Sequence, residues 1–119
     1  MITFICSGGQ TGADRGGWDA AIACDVLYGG NVPKGFRAED GRIPLDYCGG
    51  ELIEGDTIDY KRRTLENVSR SEATVIFFRG KFGGGSKLTE SYCFSCEKPV
   101  LLIVVPNACT DFAFRRLAE

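Results

Sequence analysis

The sequence predicts a single α/β domain built on a parallel sheet, and three observations carry that reading. Residues 2–6 (ITFIC), 73–78 (ATVIFF) and 100–105 (VLLIVV) are short apolar runs, β-branched or aromatic and continuous rather than alternating. That is the pattern of strands covered on both faces. Helical periodicity fills the segments between them. The resulting order is strand, helix, strand, long loop, helix, strand, helix, strand, which points to one parallel α/β sheet.

The elements follow in order. After the first run, residues 13–24 set Trp18, Ala21, Ile22 and Asp25 at helical spacing, with Gly16 and Gly17 lowering intrinsic helix stability. Residues 25–28 are a weaker strand candidate, closed by Gly29 and Gly30. Residues 31–56 lack firm periodicity and hold two prolines and five glycines, so they read as a long loop with a short strand at 51–54. A stretch of that length in a compact domain points to a function. Residues 57–70 form a second helix, with Ile58, Leu65 and Val68 on its apolar stripe and Lys61, Arg62, Arg63, Glu66 and Arg70 on a solvated side. Residues 86–96 form a third, with Leu88, Tyr92 and Phe94 or Ser95 inward. A fourth begins near Thr110 and contains Phe112, Phe114 and Leu117.

Composition bounds the function. The 119 residues suit one domain, residues 1–119, and 16 of them are glycine, about twice the ~7% average. Net charge is −2 and the pI about 5.2, which argues against a general nucleic-acid binder. Histidine is absent, removing a Ser-His-Asp triad and any His-ligated zinc. No signal peptide or membrane span is visible, so a cytoplasmic protein is expected, with most of its six cysteines reduced and buried. Cys93-x-x-Cys96 lacks the further ligands of a zinc site and sits near a helix end, so these two read as structural and no metal site is expected.

Three segments carry candidate chemistry. The first is Ser7-Gly8-Gly9-Gln10-Thr11-Gly12-Ala13-Asp14, between the first strand and its helix. Glycines let backbone N–H groups approach a phosphate, the helix N-terminus adds partial positive charge, and Ser7 and Thr11 offer hydroxyls. The plainer alternative is a turn capped by Thr11 or Asp14. The segment is neither a Walker A loop nor a GxGxxG fingerprint. The second runs from Gly80 to Lys87, where Gly83, Gly84 and Gly85 are costly to order without a ligand; Ser86 is placed to cap the helix, and Thr89 and Glu90 follow. If the first strand is central, both glycine loops flank one crevice at the switch point of the sheet. The third is Pro33 to Gly41, where Lys34 and Arg37 can meet an anion and Glu39 and Asp40 a ribose or base edge; its alternative is a solvated loop turning at Asp40-Gly41. Asn67 stands between a ligand contact and a core position, whereas Arg62 and Arg63 read as a solvated face.

Ser-Gly-Gly-Gln-Thr-Gly-Ala-Asp-Arg-Gly with Asp19-Ala-Ala closely resembles the putative molybdenum cofactor carrier family, within a wider group that includes the lysine decarboxylase-like nucleotide phosphoribohydrolases. The similarity continues through Pro33-Lys34-Gly35-x-Arg37-Ala38-Glu39-Asp40-Gly41, Tyr60-x-x-Arg63-Thr64-x-x-Asn67-Val68 and Gly84-Gly85-Ser86-x-x-Thr89, to Lys98-Pro99-Val100. The resemblance implies a Rossmann-like three-layer sandwich with a mostly parallel sheet, binding a phosphorylated, nucleotide-like ligand such as molybdenum cofactor (molybdopterin). By position, the implied binding residues are Gly8, Gly9, Gln10, Thr11, Gly12, Lys34, Gly84, Gly85, Ser86 and Thr89, with Asp14 and Arg15 orienting the first loop. Two departures stand out: Gly-Gly-Ser replaces the family's Gly-Gly-Thr, and relatives run on past the last strand where this chain stops at Glu119. The second implies a domain short at its C-terminus.

Three functions follow as expectations. The first is a carrier for a phosphate-bearing small molecule, without a catalytic centre. The second is a nucleotide phosphoribohydrolase; its motif Gly-Gly-x-Gly-Thr-x-x-Glu places Thr89 at the glutamate position. Glu90 is one residue off, about 100° around the helix, which counts against this reading. The third is a nucleotide-sensing regulatory domain. A short parallel sheet exposing apolar faces also predicts a homo-oligomer.

Overall fold

The computed structural model describes residues 1–106. The fourth helix expected around Phe112, Phe114 and Leu117 lies outside the described residues, as does Cys109. The chain divides into two compact units, Met1–Arg70 and Ser71–Glu119.

The first unit contains β1 (Phe4–Cys6), α1 (Ala13–Ala23), β2 (Leu27–Val32), β3 (Arg37–Ala38), β4 (Gly41–Arg42), β5 (Glu51–Glu54) and α2 (Tyr60–Arg70). β1, β2 and β5 form one sheet in that order, every pairing parallel. β2 does not stop at its glycines as expected but runs through them. A Cβ on Gly29 would lie 2.2 Å from the Glu51 carbonyl oxygen, and one on Gly30 2.2 Å from that of Ser7. Both take positive φ, 159° and 137°, so the neighbouring chains close on this strand only because it lacks side chains there.

The core of this unit is Trp18, Val32, Ala38 and Ile43, with Tyr28, Phe36, Tyr47 and Leu52 packed around it. Trp18 and Ala21, one turn apart on α1, are fully buried, while Ile22 is exposed. The Trp18 indole N–H donates to the Gly29 carbonyl at 2.9 Å, which satisfies the one polar group that burial would strand. Between β2 and β5 lie short 3-10 turns at Lys34–Phe36 and Leu45–Tyr47 and the antiparallel β3–β4 hairpin. Its two-residue turn is Glu39-Asp40, one residue before the expected Asp40-Gly41, because Gly41 already pairs with Ala38.

α2 departs from the expected amphipathic pattern. Ile58 and Leu65 are exposed, and the buried residues of the helix are Arg63, Asn67 and Val68. Arg63 therefore does not belong to the solvated face, whereas Arg62 does. Polar residues occupy the inward side because each finds a partner there, which is the condition for burying them.

The second unit pairs β6 (Thr74–Phe78) in parallel with β7 (Val100–Val104), and α3 (Gly84–Ser95) packs on β6. The expectation that these strands are covered on both faces does not hold. Ile76 is buried, but Val75, Phe77 and Leu101, which share the other face, are exposed. Cys93 is the buried residue of α3, and both Phe94 and Ser95 point outward. The described strands give the expected α/β, Rossmann-like fold class, parallel except for the two-residue strands of the hairpin, but they form separate sheets and not the single sheet expected, and β2 rather than β1 lies in the middle of the first. No described helix is long and apolar enough to cross a membrane.

Candidate functional site

Because β1, β2 and β5 are parallel, the loops leaving their carboxyl ends share one rim, where α/β sheets bind ligands. The Pro33–Gly35 segment is fixed there: Lys34 donates its backbone N–H to the Thr57 carbonyl at 2.9 Å, and Gly35 donates to Glu54 Oε2 at 2.6 Å. Gly55 closes the next loop through its N–H to the Val32 carbonyl, 2.9 Å. Among the described residues the exposed Lys34 and Arg37 side chains make no ion pair, so both charges face solvent.

The glycines of the first loop have different reasons. Gly9 (φ +75°) lies on the core, and a Cβ there would stand 2.6 Å from the Trp18 ring and 2.8 Å from Ile43. Gly12 (φ +83°) has open space around it. It is the N-cap of α1 and provides no side-chain hydrogen bond to the helix. Of the plainer alternative, a turn capped by Thr11 or Asp14, the Thr11 cap does not form, whereas Asp14 does bind the turn's N–H groups. Thr11 Oγ1 donates instead to Glu39 at 3.1 Å, and Ser7 Oγ donates to the Asp14 backbone carbonyl at 2.9 Å.

Asp14 organises the loop from within. Its Oδ2 accepts the Gln10 backbone N–H at 3.1 Å. Burial pushes its pKa up from the ordinary 3.8, opposed by the backbone N–H groups of Gln10 and Gly8. Two N–H groups of the glycine loop thus serve an internal carboxylate. Gly12 and Ala13, at the start of α1, are exposed, and the helix dipole places its positive end there.

Gln10 and Arg15 tie this loop to the β3–β4 hairpin. Gln10 Nε2 donates to the Arg37 carbonyl and its Oε1 accepts the Glu39 N–H, both at 3.0 Å. Arg15 donates through Nε to the Gly9 carbonyl at 3.1 Å and through its fork to both oxygens of Asp40, at 2.7 and 2.8 Å.

Beneath the loop lies a polar network that sequence reasoning largely missed. Asn67 Oδ1 accepts the Asn31 backbone N–H at 2.7 Å, and its Nδ2 donates to the Asn31 carbonyl at 3.0 Å. The Asn31 side chain meets Glu66 and Arg70. Glu66 also accepts from Arg63 at 2.7 Å, and the Arg63 guanidinium packs against Gly55, where a Cβ would come within 2.4 Å of it. One signal was available: Asn31 is an amide inside an otherwise apolar, glycine-rich strand.

The second glycine loop belongs to the other unit. α3 begins earlier than expected, at Gly84, and its N-cap is Gly83, again without a side-chain cap. Ser86 therefore lies inside the first turn and does not cap it. Thr89 Oγ1 donates to the Gly85 carbonyl at 2.9 Å. Among the described residues no atom stands within 4 Å of a Cβ built on Gly83, Gly84 or Gly85, their chain neighbours and the helix's own backbone aside. Cys93 is buried and Cys96 half-buried, but Cys24 and Cys48 are exposed, contrary to the expectation that most thiols are buried. A hollow of about 330 Å³ lined by Ile22, Leu27, Tyr28 and Glu51 lies at the amino ends of β2 and β5, away from the rim.

With this geometry in view, comparison with known proteins places the chain. Residues 5–116 match the model of the circularly permutated YpsA SLOG family. The chain belongs to that family. It is also similar to a crystal structure from Syntrophus aciditrophicus described as a putative molybdenum carrier protein, at 50% identity and a TM-score of 0.80. The alignment covers 87% of this chain and 63% of that one, so the chain spans less than two thirds of that protein's length. No curated protein matches.

Proposed function

We propose that the chain, as one Rossmann-like domain over residues 1–119, binds a phosphorylated, nucleotide-like small molecule and serves as its carrier. Molybdenum cofactor is the candidate cargo, in keeping with the description of the Syntrophus protein. The observation that carries this reading is the exposed N-terminus of α1 at Gly12, which has no side-chain cap. A phosphate there meets free N–H groups and the helix dipole. Among the described residues no three or more Cys, Asp or Glu side chains gather to hold a metal ion. The groups offered to such a cargo are thus donors for its phosphate and acceptors for its hydroxyls.

Native mass spectrometry after gentle purification tests this directly. The expected result is a bound phosphorylated species; a protein that carries none and takes up no nucleoside monophosphate contradicts it. The hydrolase alternative is tested by free base after incubation with nucleoside monophosphates, and none is expected. The exposed Val75, Phe77 and Leu101 support a homo-oligomer, which sedimentation at micromolar concentration would overturn by showing monomer alone.

A further inference from the structure

We infer that Asn67 is the positioning residue that takes the first loop out of the sheet, its side-chain amide standing in for the missing peptide of β1. The last rungs between β1 and β2 pair Cys6 with Gly29, and the Ser7 N–H donates to the Gly29 carbonyl at 2.9 Å. In a parallel ladder the next rung would join the Asn31 N–H to the Ser7 carbonyl and the Gly9 N–H to the Asn31 carbonyl. Neither forms. The Asn31 N–H goes to Asn67 Oδ1 at 2.7 Å, and Asn67 Nδ2 goes to the Asn31 carbonyl at 3.0 Å. One primary amide presents the acceptor and donor that two peptide groups would have supplied.

The surroundings fit this substitution. Asn67 is 9% exposed and Asn31 7%, so an unpaired Asn31 peptide would be a buried unsatisfied group. A Cβ on Gly8 would lie 3.7 Å from Asn67 Nδ2, and one on Gly30 3.1 Å from Asn67 Oδ1. The amide therefore fills the space between the departing loop and β2. Cys6 Sγ, at the end of β1, approaches Asn67 Oδ1 at 3.3 Å. With Asn31 served, Ser7 and Gly9 are released from the ladder and the chain turns over the core to bring Gly12 to the N-terminus of α1. The effect on ligand rests on the proposed anion site; the effect on the loop does not.

The experiment compares Asn67→Ala, Asn67→Asp and Val68→Ala with the unsubstituted chain, reading amide hydrogen exchange and inorganic phosphate affinity. Val68 is a buried neighbour on the same helix and serves as the control for lost stability. In Asn67→Ala, exchange at Asn31 accelerates and the Gly8–Gly12 amide signals move. Phosphate affinity falls about tenfold, the equivalent of one or two lost hydrogen bonds. Asn67→Asp keeps the acceptor for the Asn31 N–H, so Asn31 stays protected while affinity falls less; it also serves if the alanine variant does not fold. Val68→Ala leaves the loop signals and the affinity in place. Unchanged exchange at Asn31 in Asn67→Ala, or equal effects from Val68→Ala, overturns the inference. If the unsubstituted chain binds no phosphate yet the loop amides respond as stated, the anion site fails and the positioning role stands.

Discussion

The guanidinium of Arg15 grips both oxygens of Asp40, at 2.7 and 2.8 Å, and this pair joins the N-terminal turn of α1 to the tip of the β3–β4 hairpin. The hydrogen bonds from Arg15 hold the Asp40 carboxyl below its ordinary 3.8. Its stabilising contribution is therefore present above the ordinary value and lost as pH falls through the lower folded value. Thermal unfolding of Asp40→Asn against the unsubstituted protein should show a gap at neutral pH that closes on the acid side. Asp14 acts in the opposite sense. Its raised value favours folding most below the ordinary range, and that contribution is lost as pH rises through the raised value.

Tyr47 gives a second pH signature. Its hydroxyl donates to Asp19 Oδ1 at 2.7 Å, and burial, reinforced by Asp19, pushes its pKa up to about 12. Stability from this group is complete below the unfolded value of about 10 and is lost as pH rises through about 12. Asp19→Asn should bring the Tyr47 titration down without restoring it fully, since burial is the larger cause. NMR of the tyrosine ring carbons measures both values.

Gly9 and Gly12 both take positive φ, yet they should respond differently to alanine. Gly9→Ala drives a methyl into Trp18 and Ile43 and should cost roughly 3 kcal/mol from overpacking and backbone strain together. Among the described residues Gly12→Ala meets no atom within 4 Å, so its cost is backbone strain alone, roughly 2 kcal/mol at φ 83° and ψ −127°. Urea unfolding gives the difference. The Gly12 variant should still fold, and on the proposed function it should bind anions poorly, because its methyl stands at the proposed docking point.

Arg63→Leu removes a 5% exposed guanidinium that donates to Glu66 and closes against Gly55. The loss should be about 2 kcal/mol, near the worth of one charged hydrogen bond. Arg63→Lys should recover little of it, because a lysine lacks the planar fork. Denaturant midpoints of the two variants check both statements.

The sequence foretold the strands and helices of this protein well where hydrophobicity decided them. Runs 73–78 and 100–105 became β6 and β7 with their ends trimmed by one residue, and residues 51–54 became β5. It misled where a close backbone approach or a polar partner decided. Gly29 and Gly30 look like a stop signal but are the residues that let β2 run between its neighbours. Arg63 looks like a solvated charge but is buried because Glu66 meets it. The two-residue strands of the hairpin are too short for any periodicity, although Asp40-Gly41 marked their turn to within one residue. At the site, the glycines were visible in sequence. Their division of labour was not: Gly9 rests on the core, Gly12 opens to solvent, and Gly8 and Gln10 face Asp14.

The central claim is that an anion docks at the open first turn of α1. The most direct test is a titration of the isotope-labelled protein with inorganic phosphate and then a nucleoside monophosphate, followed by amide NMR. The account predicts saturable shifts centred on the amides of Thr11, Gly12, Ala13 and Asp14, weakened in Gly12→Ala. Shifts centred on the hollow lined by Ile22, Leu27 and Tyr28, or no saturable shift at all, would contradict it.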